Sequence, residues 1–160
     1  MNKAETYGFL RAKNIPFETV EHAAVFNMEE MSKIDLPHPE ADAKNLFVRD
    51  DKHRNFYLIT VRGDKRVDLK EFRKANGLRP LTFASGEELF EILRLTPGSV
   101  TPLGLLSDEE RKVKLYIDSD LAAGLIGVHP NENTATIFLK TEDLIGLIKE
   151  HGNEVYTVEI

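Results

Sequence analysis

The sequence predicts an α+β fold, a mixed sheet with flanking short helices, and three observations carry that prediction. About seven β-type segments are interleaved with four or five short helical ones, two neighbouring strand pairs are separated only by polar turn residues, and no composition break divides the 160 residues. Hairpins impose antiparallel pairing, whereas strands separated by helices are free to run parallel, so the sheet is expected to be mixed. Residues 1–160 are read as one domain, a usual size for a single core.

The opening NKAETYGFLRAKN puts Tyr7, Leu10 and the stem of Arg11 on one helical face and stops before Pro16. FETVEH reads as extended. Asn27 and Glu30 form a capping-box pair for a short helix from Met28 to Lys33, ended by the proline-containing LPHPE. NLFVRD and NFYLITV flank the polar DDKHR and predict a hairpin. Asp68 caps LKEFRKAN, which Gly77 closes, and Ser85 with Glu88 caps ELFEILR. KVKLYID alternates as a strand; LIGVHP and TATIFLK flank NEN as a second hairpin. TEDLIGLIKEHG predicts a helix capped by Thr141 and ended by Gly152, followed by a strand in EVYTVEI.

Cysteine is absent, which excludes disulfides, a cysteine nucleophile and cysteine-ligated zinc. No apolar run approaches the roughly 18 residues of a membrane helix, and the charged N-terminus lacks a signal-peptide core, so a cytoplasmic protein is expected. The chain carries 21 Lys and Arg against 27 Asp and Glu, yet from Lys44 to Arg79 eleven basic residues face five acidic ones. That basic island is either solvated surface or an anion-binding face.

Common catalytic signatures are missing: there is no GxSxG, HExxH, GxxxxGK or strand-linked GxGxxG, and the five histidines lack ligand spacing, so neither metal nor cofactor is expected. Three local features remain. Lys44 opens a strand that is apolar on both faces, where it either snorkels to water or meets a charged ligand. Pro97-Gly98 suits a type II turn, which either reverses the chain or aims the amides of Ser99 and Val100 at an oxyanion. Gly127 and His129 share one side of a strand ended by Pro130, and the glycine leaves space beside the imidazole for a small group. Together they are the parts of a carbonyl or anion pocket.

At these same residues the chain resembles the YbaK and prolyl-tRNA synthetase insertion-domain superfamily of aminoacyl-tRNA deacylases. KNLFVRD, Gly98-Ser-Val-Thr-Pro102 and LIGVHP carry the likeness, and HPEADAKNLFVRDDKHRNFYLITV, VDLKEF, LTFAS and PGSVTPLGL bring it nearest the free-standing branch called ProXp-ala or PrdX. The resemblance implies the superfamily's fold and trans-editing: hydrolysis of alanine from mischarged tRNA(Pro), which a synthetase pocket sized for proline cannot exclude. It implies Lys44 as the active-site lysine, fixing the terminal adenosine and aminoacyl group. Gly98 and Pro102 match the GXXXP loop, with the Ser99 and Val100 amides at the oxyanion and Thr101 lining the site. Asn45 is expected on the substrate's α-amine or ribose, and Gly127 with His129 on the side chain to be sorted. Arg49, Lys52, Arg54, Lys65 and Arg66 are expected on acceptor-stem phosphates. A monomer acting on tRNA(Pro), with prolyl-tRNA synthetase as a further partner, is expected. Deacylation of Cys-tRNA(Pro) or of another mischarged tRNA, and a non-catalytic module that binds aminoacyl-tRNA or a synthetase, are the alternatives.

Overall fold

A computed structural model describes residues 1–160. The strands are β1 (Glu18–Glu21), β2 (Ala43–Asp50), β3 (Phe56–Arg62), β4 (Leu81–Phe83), β5 (Val113–Asp118), β6 (Leu125–Val128), β7 (Ala135–Lys140) and β8 (Val155–Val158). The α-helices are α1 (Lys3–Ala12), α2 (Met28–Met31), α3 (Leu69–Ala75), α4 (Gly86–Leu93) and α5 (Thr141–His151). The expected α+β class is what forms. A five-stranded sheet has the order β4-β2-β3-β5-β8, in which β3, β5 and β8 run parallel and the β4-β2 and β2-β3 pairs antiparallel. β1, β7 and β6 make a second, antiparallel sheet. A single parallel bridge, Asp42 to Gly127, joins the start of β2 to the end of β6. Lys44, Asn45, Gly98, Gly127 and His129 line one cleft at that seam.

Both faces of the larger sheet are covered, which explains why β2 is apolar on both sides. Phe47, Phe56 and Leu58 enter the main core with Leu89, Leu103 and Leu144, while Val48, Ile59 and Val61 pack with Tyr57, Phe72 and Tyr116 on the other face. Burial of such side chains contributes about 1.5–3 kcal/mol each. The hairpin between β2 and β3 closes around Asp50, whose carboxylate accepts from the Lys52 and Arg54 amides and from Asn55 Nδ2. Burial alone would raise its pKa, but these donors hold it below the ordinary value.

Three local expectations shift. β4 is an eighth strand, a three-residue edge after Pro80 too short to show periodicity. α2 ends at Met31, and Glu30 reaches back to the Phe26 N–H while Asn27 accepts from the Glu30 N–H. Thr141 is the first residue of α5 and not its cap; Lys140 stands at the cap position with no side-chain bond, and the buried Thr141 hydroxyl is without a partner. The Ser85–Glu88 box, the Asp68 cap and Gly152, at φ +111°, form as expected.

Candidate active site

Gly98 sits in a tight turn as the sequence requires. The Ser99 N–H donates to the Thr96 carbonyl at 3.0 Å, and Gly98 adopts φ +92°, the second central position of a type II turn. Beyond it, Thr101 is fully buried and its hydroxyl accepts from the Leu103 N–H, starting a 3₁₀ turn over Pro102–Ser107. Leu95 lies under Gly104, where an added Cβ would fall 2.6 Å from its Cδ1. Buried residues therefore pin the loop on both sides.

That geometry alters the expected donors. The Ser99 amide is consumed by the turn and its residue is buried, whereas the Val100 and Gly98 N–H groups have no partner in the chain. Gly98 and Val100 line a cleft of about 200 Å³ with Asp42, Lys44, Asn45, Gly127 and His129, closed by Val25, Phe26, Met28 and Met31. Ser99, Thr101 and Pro102 do not line it: they form the floor that holds Gly98 and Val100 in place.

Asn45 and Lys44 leave β2 on opposite faces. The Asn45 carboxamide accepts from the buried Thr60 hydroxyl at 2.7 Å and its Nδ2 lies 3.5 Å from the Val100 carbonyl, tying strand to loop. The Lys44 ammonium donates to the Lys65 carbonyl. Gly127 does not leave the expected vacancy. A Cβ there would lie 2.6 Å from the Phe138 ring, so the glycine makes room for that aromatic and not for a ligand. His129 Nδ1 lies 2.8 Å from the Ala135 carbonyl and must carry the proton, which leaves Nε2 as an acceptor with no partner in the chain. Burial pulls the His129 pKa down, keeping the ring neutral at pH 7.

The model of the aminoacyl-tRNA editing domain covers residues 22–147, from just after β1 into α5. The chain belongs to the aminoacyl-tRNA editing family. Membership makes it an aminoacyl-tRNA deacylase, an ester hydrolase. The prolyl-tRNA editing protein ProX of Acetoanaerobium sticklandii is 40% identical over 91% of this chain and 90% of its own. The prolyl-tRNA synthetase associated domain-containing protein 1 of Mus musculus is 35% identical over 95% and 92%. A solved structure described as a candidate trans-editing enzyme for prolyl tRNA synthetase superposes at TM-score 0.71 over 100% of this chain and 98% of that one; at 22% identity it shows the shared fold.

Within the cleft, some residues carried no signal in the sequence. Asp42 lies on a strand-entry turn, and burial pushes its pKa up to about 7. Phe26 is 65% exposed at the rim and packs over Gly98, whose added Cβ would meet its ring at 3.0 Å. Their closeness to Gly98 and Gly127 arises from pairing between distant segments, such as Val25 N–H to the Asn133 carbonyl.

The five expected tRNA-binding residues divide in two. Arg49 faces Glu88 at 3.4 Å, and Lys65 bridges Asp118 and Asp120 at 2.5 and 3.0 Å. Lys52, Arg54 and Arg66 are exposed and form no ion pair. Lys52 and Arg54 occupy the hairpin tip, six residues along β2 from Lys44, or about 20 Å at strand rise.

Proposed function

We propose that the chain is a trans-editing deacylase for Ala-tRNA(Pro), releasing alanine and free tRNA(Pro). The observation that carries this reading is that Gly98 and Val100, whose N–H groups have no partner in the chain, line one cleft of about 200 Å³ with the neutral His129, whose Nε2 is left as an acceptor. That volume lies below the roughly 300–1,000 Å³ of ordinary ligand sites and suits a small aminoacyl group on an exposed ribose. Water attacks the ester carbonyl, the developing oxyanion takes the two N–H groups, and His129 Nε2 accepts a hydrogen bond from the attacking water. The ester C–O bond to the ribose then breaks and the ribose oxygen leaves with a proton. Donors held by a pinned turn need no reorganisation in the transition state, and each such donor is worth on the order of 10²-fold in rate.

Lys44 holds the terminal nucleotide. Its ammonium rests on a backbone carbonyl, which it exchanges for a phosphate oxygen with gain of charge pairing. The Val25–Met31 wall, and not Gly127, does the size sorting, because Phe138 already fills the space at the glycine. Single- and multiple-turnover release of alanine from Ala-tRNA(Pro) tests the assignment. Lys44→Ala is expected to raise KM and His129→Ala to lower kcat, each by at least about tenfold; wild-type rates in both variants would overturn these roles.

A further inference from the structure

Asp42 differs from the other inward carboxylates of the molecule. Asp50 is held by two backbone amides and Asn55; Asp108 accepts from the Val113 N–H and Asn153; Asp118 pairs with Lys65. The Asp42 carboxylate has no hydrogen bond or ion pair from any other side chain, only the adjacent Ala43 N–H beside it, although its backbone is fully used. Its N–H donates to Pro39, its carbonyl accepts from Gly63 at 2.8 Å, and it bridges to Gly127. The fold therefore needs residue 42's main chain, not its acid.

We infer that Asp42 is the counter-ion for the α-ammonium of the esterified amino acid, and that it makes the site selective for a free amine. This rests on the reading of the cleft as a deacylase site. Asp42 is the only acid lining it, in the same cleft as Gly98 and Val100, whose N–H groups suit the carbonyl one bond from the amine-bearing carbon. An ammonium brought into this cleft without an acceptor anion would lose its hydration uncompensated. Asn45 is the weaker partner, since it carries no charge, one acceptor site of its oxygen is taken by Thr60 and its amide donors repel a cation. The charged and titratable groups around Asp42 are Lys44 and the neutral His129 in the same cleft, and Glu40, Arg62 and Asp64 around an adjoining cavity whose wall it shares with Met28 and Met31. Arg62 is held by Asp64 at 2.8 Å and does not pair with Asp42.

The test compares Ala-tRNA(Pro) with lactyl-tRNA(Pro), in which a hydroxyl replaces the ammonium at nearly constant volume, for wild type and Asp42→Asn. Wild type is expected to hydrolyse the alanyl ester about 30-fold better in kcat/KM, mostly through KM, the scale of one charge-assisted hydrogen bond. Asp42→Asn is expected to lose that factor on the alanyl ester and almost nothing on the lactyl ester, with an unchanged or raised melting temperature. Equal losses on both esters, or no loss on either, would overturn the inference. If wild type spares Ala-tRNA(Pro) but hydrolyses another aminoacyl-tRNA, the alanine assignment falls and the same amine-to-hydroxyl comparison on that substrate judges Asp42. If it hydrolyses none, both fall.

Discussion

Single residues divide into those whose chemistry the sequence displays and those whose surroundings create it. Gly98 belongs to the first kind: Pro-Gly spells a type II turn, and the turn forms with φ +92° at the glycine. Gly98→Ala places a side chain in a left-handed conformation and 3.0 Å from the Phe26 ring. It is expected to cost about 1–2 kcal/mol in chemical denaturation and to lower kcat at least about tenfold by misaiming the two donors. Asp42 belongs to the second kind, because nothing in PEADAK distinguishes it from a surface acid; the Asp42–Gly127 bridge places it in the cleft. Its pKa of about 7 in the folded chain exceeds the ordinary 3.8, so the folded state holds the proton more tightly than the unfolded one. Stability from this residue is therefore fully present below about pH 4 and lost as pH rises to about 7. Urea unfolding at pH 5 and pH 8 is expected to show Asp42→Asn gaining on wild type at the higher pH, on the order of 2 kcal/mol after solvent screening in the open cleft. An equal difference at both pH values would contradict this.

At the scale of elements, the sequence discloses most where side chains act on their own neighbours. The Ser85–Glu88 capping box, the Asp68 cap and both hairpins depend on contacts a few residues apart, and they form as the sequence predicts. Lys44 marks the limit of that approach. Its place at the start of β2 was legible, but alternation directs its ammonium to the Lys65 carbonyl while Asn45 faces the loop. Gly127 shows the same limit more sharply: glycine in a strand signals close approach, and only the paired β7 reveals that Phe138 is what approaches. Gly127→Ala should consequently act on the fold. An overpacking loss of about 1–3 kcal/mol, read from the denaturant midpoint, is expected, because the Cβ would sit 2.6 Å from a ring buried to 2% exposure. A stable Gly127→Ala protein with altered substrate size preference would instead restore the glycine to the pocket.

Over the whole molecule, the cleft exists because two sheets meet at one bridge, with a pinned loop and a short methionine-bearing helix closing the seam. The basic island was visible as charge, but its division was not, since Arg49 and Lys65 are partnered by carboxylates remote in sequence. Charge reversal at Lys52, Arg54 and Arg66 is thus expected to weaken tRNA binding and flatten its salt dependence, by about 0.7–0.9 in log–log slope for each phosphate that is no longer neutralised. An unchanged slope would remove these residues from the tRNA interface. All of the roles proposed for the small cleft depend on one expected property, that it sorts aminoacyl groups by hydrolysing alanine and sparing proline. Wild-type deacylation rates on tRNA(Pro) charged in parallel with alanine, proline, cysteine, serine and threonine measure it directly: rapid release of alanine with proline left on the tRNA is expected, and release of proline as fast as alanine, or of neither, would contradict it.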